Sequence, residues 1–249
     1  MNQSKLFNIL DSVDSTNNYA MAKVHAGLAT HGMAWFAREQ TAGKGQRGKQ
    51  WQSQPRNNIL LSILLQPAPV FYANPFYYSA IAAIGCVEFL QNISGQKFYI
   101  KWPNDLFWSD RKTGGLLIEN NYSGKNWKWA VLGIGINVNQ TDFAEGLQQA
   151  ISLKQIMEKN DLDPLLLAIN LHKYILEKYN ASANIDVDIL LQQYNELLYK
   201  KSEIVRLKKG SAVFSTTIKE VNKFGQLITE DNLQRTFNFG EVQWVPQPG

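Results

Sequence analysis

Three glycines and three cations alternate in one short stretch, Gln40-Thr-Ala-Gly43-Lys44-Gly45-Gln46-Arg47-Gly48-Lys49-Gln50-Trp51. Glycine lets a backbone take left-handed conformations and bring its N–H groups up to a ligand, while Lys44, Arg47 and Lys49 add positive charge in the same place. Such a loop suits phosphate or carboxylate binding; a solvated basic turn is the alternative that this stretch alone leaves open.

Gly43 and Gly48 stand five apart with Lys49 next, which approaches the G-x-x-x-x-G-K-[ST] spacing. The match fails at Gln50, a poor substitute for the hydroxyl that holds magnesium, and residues 51–55 do not read as the helix a P-loop requires. A phosphate loop of another kind is therefore expected.

A second constellation is Lys101-Trp-Pro-Asn104-Asp105, a cation, a large aromatic, a rigid turn and a carboxylate at the end of a strand candidate, followed by Arg111-Lys112-Thr-Gly-Gly115. Strand ends are where α/β and α+β folds tend to build sites, although a simple β-turn with Trp102 in the core fits the same residues. A third is Gly133-Ile-Gly135-Ile-Asn137, which shares only two glycines with a dinucleotide fingerprint. Its alternation is that of a strand, so a Rossmann reading is rejected, and glycines inside a strand point to close approach by a ligand or backbone. The fourth is Asp14-Ser15-Thr16-Asn17, a polar run in which helix capping accounts for one residue and leaves the others unexplained.

These residues need elements to hold them. Strand candidates cover 6–10, 33–39, 58–66 and 97–102, with a hairpin formed by 116–121 and 127–139 around the turn at 123–126. Helices are expected from about Tyr19 after the turn and cap run at 11–17, over 75–92, over 152–157, from Pro164 to about Tyr179 with Asp163 as cap, and over 187–198. Beyond residue 200 the pattern changes to short strands at 203–209, 212–218, 226–230, 233–239 and 241–245, separated by Gly210, Gly225 and Gly240. This predicts a chain in two parts, a larger unit of strands and helices followed by a separate small β-barrel, with the boundary near 198–201.

Composition sets bounds. The 249 residues carry 25 Lys plus Arg against 21 Asp plus Glu, a net charge of +4 that suits anionic ligands without demanding nucleic acid. The single cysteine, Cys86, lies in an apolar run and is expected as a buried small hydrophobe. His25, His31 and His172 lack partners at ligand spacing, so no protein-built metal site is predicted. The N-terminus has no apolar h-region and no apolar run reaches about 18 residues, which predicts a cytoplasmic protein with no membrane partner.

In order and spacing, the four stretches closely resemble the biotin protein ligases, also called biotin–[acetyl-CoA-carboxylase] ligases. The resemblance runs through essentially the whole chain, and Lys101-Trp-Pro-Asn-Asp105 is its most specific motif. It implies an α+β chain, with a catalytic domain at 1–199 whose mixed β-sheet is flanked by helices as in lipoate ligases and an SH3-like barrel at 200–249, and an enzyme that makes biotinyl-5'-AMP from biotin and ATP, with Mg2+, before transferring biotin to a lysine of a biotin carboxyl carrier protein. Because the chain starts close to Ser15, the form without a DNA-binding winged helix is expected, with no specific DNA binding; a homodimer is left open.

By that resemblance Ser15, Thr16, Asn17, Gln40 and Gly115 match biotin-binding positions, Lys44, Gly45 and Gln46 match the loop that closes over biotin and the adenylate, and Lys112, also biotin-binding, faces the reacting carboxylate. Lys44, Arg47, Trp51, Asn104 and Asn137 fall on the nucleotide side. Lys112, Asp105 and Arg47 are the implied catalytic residues, with Arg47 taking the phosphate role because Gln46 stands where the family often has Arg. A lipoate ligase or octanoyl transferase on the same fold is the nearest alternative, disfavoured by the polar Ser15-Thr-Asn17 segment. A phosphate- or nucleic-acid-binding protein is the alternative of another class.

Overall fold

The computed structural model describes residues 6–72, 74–147, 149–182 and 185–245. The expectations for residues 1–5 at the N-terminus and for 246–249 at the end of the second unit lie outside the described residues.

A seven-stranded mixed sheet forms the larger part, in the order β1-β2-β3-β7-β6-β5-β4. Its strands are β1 (Phe7–Leu10), β2 (Ala34–Ala37), β3 (Asn58–Leu65), β4 (Tyr99–Lys101), β5 (Asp105–Trp108), β6 (Arg111–Ser123) and β7 (Asn126–Asn137). β1 pairs parallel with β2, and the remaining neighbours are antiparallel. Every residue of β3 is buried, as its nearly continuous apolar run requires of a central strand covered on both faces.

Helix α1 (Thr16–His25) covers one face, where Ala20 packs with Trp35, Leu64 and Val131. The other face is covered by α2 (Pro75–Ser94), α4 (Pro164–Ala181) and α5 (Val187–Glu196), with short α3 (Leu153–Met157) beside them. Local chemistry sets the helix ends. Asn74 caps α2 by accepting from the Phe76 N–H, Pro75 occupies the first turn, and Gly95 closes the helix at φ 71°. Asp163 caps α4 in the same way, accepting from the N–H groups of Leu165 and Leu166.

Residues 197–199 run along the edge of β4, where the Ile100 N–H donates to the Leu197 carbonyl and the Ile100 carbonyl accepts from the Tyr199 N–H, and this protects the sheet edge. The chain then enters a five-stranded antiparallel sheet of order β11-β10-β9-β8-β12. It comprises β8 (Ile204–Lys209), β9 (Ala212–Val221), β10 (Leu227–Glu230), β11 (Gln234–Phe237) and β12 (Gln243–Val245), in line with the expected SH3-like unit. Asn195 fastens it to α5 by a reciprocal pair of hydrogen bonds with the backbone of Val221.

Two local expectations need correction. β5 was not anticipated from the sequence: Asp105 is the first residue of a strand that turns back on β4 rather than part of a loop. Ser15 occupies the cap position of α1, but its side chain makes no capping bond, and Thr16 directs its hydroxyl elsewhere. Side-chain capping therefore accounts for neither Ser15 nor Thr16.

Candidate active site

Strand register decides what faces α1. Ser62 pairs with Gly133, Leu60 with Gly135, Leu117 with Gly133 and Gly115 with Gly135, so these positions lie side by side on one face of the sheet. The two strand glycines leave room there for close neighbours. A Cβ on Gly133 would fall on Asn17 Oδ1, and one on Gly135 would lie 2.7 Å from the Trp51 indole. The close approach read from the sequence is therefore made by two residues of the candidate site.

Asn17 belongs to a buried polar network. Gln40 Oε1 accepts from the Thr16 backbone N–H at 2.7 Å and from the Thr16 hydroxyl at 3.0 Å. Ser62 Oγ lies 2.7 Å from Thr16 Oγ1 and 2.6 Å from Asn17 Oδ1. Glu119 Oε2 accepts from Asn17 Nδ2 at 2.8 Å, and Glu119 Oε1 accepts from Lys44 Nζ at 2.9 Å. Ser15, Thr16, Asn17 and Ser62 are buried, so the network sits in a low-dielectric setting that strengthens each bond.

The glycine-rich loop closes over this floor. Gly43 and Gly45 do not take left-handed backbone; they are needed because Trp51 and Lys49 approach closely, a Cβ on Gly43 falling 2.5 Å from the Trp51 carbonyl oxygen. Left-handed conformations fall instead on Arg47 (φ 56°) and Gly48 (φ 76°). Arg47 Nη1 donates to the Gly240 carbonyl at 2.8 Å, which ties the loop to the C-terminal sheet.

The turn after β4 supplies the opposite wall. Trp102 is buried and yet borders the cavity: its indole N–H donates to the Gly225 carbonyl at 2.9 Å. Asn104 donates to the Leu116 carbonyl and is tied to β6. Lys112 Nζ lies 2.7 Å from Asp105 Oδ1 and 5.7 Å from the centre of the Trp51 ring. Asn137 is buried and donates to the Ile151 carbonyl at 3.3 Å.

All these surfaces enclose one cavity of about 840 Å³. The residues that the resemblance assigns to the site line it, Ser15, Thr16, Asn17, Gln40, Lys44, Gly45, Gln46, Arg47, Trp51, Asn104, Asp105, Lys112, Gly115 and Asn137, whereas Asp14, Gly43, Gly48 and Arg111 of the same motifs do not. Lys44, Arg47, Lys49, Lys101 and Lys112 bring positive charge to it, and Asp105 is the one carboxylate residue among its described lining. That balance suits a polyanion. Trp51 Nε1 and Gln46 Oε1 are buried without a hydrogen-bond partner, an unusual state for buried polar atoms and one that a ligand would relieve.

Some lining and supporting residues were missed. Ser62 could have been noticed as the one hydroxyl within the apolar run of β3, and Glu119 gave no signal beyond strand alternation. Lys101 was quoted only as part of its motif. Its Nζ lies 4.5 Å from the Phe107 ring centre and 5.0 Å from that of Trp244, and burial draws its pKa down to about 8, with Asp105 raising it and Lys112 lowering it. Phe239, Gly240, Val242 and Trp244 of the C-terminal unit also border the cavity. Among the described residues, no group of three or more His, Cys, Asp or Glu side chains is placed to hold a metal ion, and no helix is long and apolar enough to cross a membrane.

Comparison with known proteins adds an independent line. The sequence model of the biotin/lipoate A/B protein ligase family matches residues 9–137. The bifunctional ligase/repressor BirA of Bacillus subtilis is 35% identical over 130 residues, 51% of this chain and 40% of that protein. The biotin–[acetyl-CoA-carboxylase] ligase of Paracoccus denitrificans is 36% identical over 133 residues, 52% of this chain and 53% of that one. The chain thus spans about half the length, or less, of these curated relatives. The biotin protein ligase from Aquifex aeolicus in complex with biotin and ATP superposes with a TM-score of 0.80 at 25% identity, covering 98% of this chain and 100% of that chain.

Proposed function

This chain belongs to the biotin/lipoate A/B protein ligase family, and from that premise we propose that it is an ATP-dependent biotin protein ligase. The observation that carries the reading is the meeting, in one cation-rich cavity, of the buried Ser15-Thr16-Asn17 network with Gln40, the glycine-rich loop and the Asp105–Lys112 pair. A ureido ring offers two N–H donors and one carbonyl acceptor, and the side chains of Ser15, Thr16, Asn17 and Gln40 supply hydrogen-bonding groups of both kinds. A plain alkyl chain would leave those groups unpaired, which disfavours a lipoate or octanoyl substrate.

Chemistry proceeds in two steps. The biotin carboxylate attacks the α-phosphorus of ATP and pyrophosphate leaves; the ε-amine of a carrier-protein lysine then attacks the carbonyl of the mixed anhydride and AMP leaves. Both partners in the first step are anions, so bringing them together costs several kcal/mol unless cations offset the repulsion. Lys44, Arg47 and Lys112 do this in our reading, with Lys112 at the reacting carboxyl oxygen beside Gly115, and Trp51, Asn104 and Asn137 on the nucleotide side. Gly45 and Gln46 shield the intermediate from water when the loop is closed. Asp105 steers the incoming lysine ammonium and accepts its proton before attack.

The acidic groups near the site are held by lysines, Asp105 by Lys112 and Glu119 by Lys44. They do not form a metal site of their own, and Mg2+ belongs to this proposal as an ion carried by the ATP phosphates and water. The carrier-protein acceptor, the cytoplasmic location and the division into units at 1–199 and 200–249 are likewise parts of the proposal.

The test is ATP–pyrophosphate exchange with the purified protein, comparing biotin, lipoate, octanoate and no acid. Biotin-dependent exchange is expected. Exchange with lipoate alone would keep the fold and overturn the pocket assignment, and no exchange with any acid would overturn the ligase reading.

A further inference from the structure

Lys44 and Asn17 come from different parts of the chain, the glycine-rich loop and the first turn of α1, yet they converge on one carboxylate. Glu119 lies on β6 opposite Val131, two residues along from the Leu117–Gly133 pair, and so it projects from the face of the sheet that carries the cavity floor. Its two oxygens are divided between two partners: Oε1 takes Lys44 Nζ at 2.9 Å, and Oε2 takes Asn17 Nδ2 at 2.8 Å.

The ion pair by itself would carry little. With side chains 41% and 31% exposed, Lys44 and Glu119 resemble a surface pair, and such pairs contribute weakly. The second bond changes the case, because Asn17 is 3% exposed and has no freedom to move: Ser62 holds its Oδ1, and Gly133 lies beneath it without room even for a methyl group. Because both groups only accept, Glu119 at 2.8 Å, together with the Leu117 carbonyl at 3.4 Å, fixes which end of the Asn17 amide faces which neighbour. One carboxylate therefore makes the shorter of the two bonds that orient a pocket amide and also sets the resting place of a loop cation. We infer that Glu119 is a positioning residue that couples the glycine-rich loop to the ring pocket, so that the loop is docked by the same contact that pre-orients Asn17 for its ligand. The inference rests on the biotin-ligase reading for the identity of that ligand, but the strut itself does not depend on it.

The experiment compares the unchanged protein with Glu119→Gln, Lys44→Met and the double variant. Amide hydrogen exchange over residues 43–48 is measured on each without added ligand, and biotin KM and kcat are measured in pyrophosphate exchange. Thermal unfolding is recorded to confirm that each variant is folded. Glu119→Gln is expected to speed loop exchange about fivefold, as the loss of a weak but connected pair should. It is expected to raise the biotin KM about tenfold through Asn17, with kcat changed less than about twofold. The loop effects of Lys44→Met and Glu119→Gln should not add in the double variant, since both remove one contact. Unchanged loop exchange in a folded Glu119→Gln protein, or independent effects in the double variant, would overturn the coupling. If the unchanged protein shows no biotin-dependent exchange, the ligase reading falls, and the ligand-free loop measurement still decides for or against the strut.

Discussion

Lys112 Nζ lies 2.7 Å from Asp105 Oδ1, so the two residues assigned to successive chemical steps are each other's ion-pair partner. The pairing follows from strand geometry: Asp105 opens β5 opposite Gly115, and Lys112 near the start of β6 reaches back across the same ladder. A substrate carboxylate meeting Lys112 would share it with Asp105, and an incoming ammonium would compete with Lys112 for Asp105. In the proposed ligase reaction the pair would thus link the two half-reactions.

That link gives opposite expectations for its two members. Lys112→Ala should lower biotin-dependent pyrophosphate exchange by about a hundredfold or more, the usual consequence of deleting a group that stabilises developing charge. Its thermal midpoint should move little, because both side chains are about a third exposed. Asp105→Asn should slow transfer from pre-formed biotinyl-5'-AMP to a carrier lysine by about a hundredfold while affecting adenylation less. Equal losses in the two steps would remove the separate role for Asp105.

A second expectation concerns the tether between the loop and the C-terminal sheet. Gly240 sits at φ 85°, and a Cβ there would lie 2.7 Å from Arg47 Nη1. Gly240→Ala should destabilise the fold by about 1–3 kcal/mol, as forcing a side chain into that backbone region does. It should also raise the KM for ATP, because the guanidinium is displaced. Arg47→Ala should reproduce the KM change without the same loss of stability, as followed by urea unfolding and exchange kinetics. An unchanged ATP KM in both variants would remove Arg47 from the nucleotide side.

The sequence already carried most of the site and left out its connections. Gly133 and Gly135 were legible because glycine inside an otherwise apolar strand has few uses other than close approach, and Asn17 and Trp51 are what approach. Glu119 was not legible. A carboxylate on a half-exposed strand looks like any solvated residue until the β6–β7 register puts it beside Asn17. The bond from Arg47 to Gly240 spans 193 positions, and the contact of Lys101 with Trp244 likewise joins the two units, so neither leaves a local pattern. β5 escaped because it is only four residues long and follows a turn directly.

The two strand glycines should separate the two ends of the cavity. Gly133→Ala pushes on Asn17, and Gly135→Ala pushes on the Trp51 indole. Both lie on a central strand, so each should cost about 1–3 kcal/mol from overpacking. Titration calorimetry should then show Gly133→Ala losing biotin affinity more than ATP affinity, with the reverse for Gly135→Ala. Equal losses of both ligands in both variants would count against the division of the cavity into ring and nucleotide ends.

Lys101 provides a test that needs no ligand at all. Its pKa of about 8, against an ordinary value of 10.5, means that the folded protein resists charging this amine while the unfolded chain does not. Between those two pH values the unfolded state binds more protons at this position, so the contribution of Lys101 to stability increases as pH rises. Below about pH 8 the amine is charged in both states, and the cost of burying it is fully present. Unfolding free energies in urea should therefore show the difference between the unchanged protein and Lys101→Met shifting in favour of lysine from pH 8 towards pH 10, and flat below pH 7. Taking the difference cancels the other groups that titrate in this range. A constant difference across the range would mean that the cage of Phe107, Tyr199 and Trp244 offsets the burial of the charge completely, and one that moves the other way would mean that it more than offsets it.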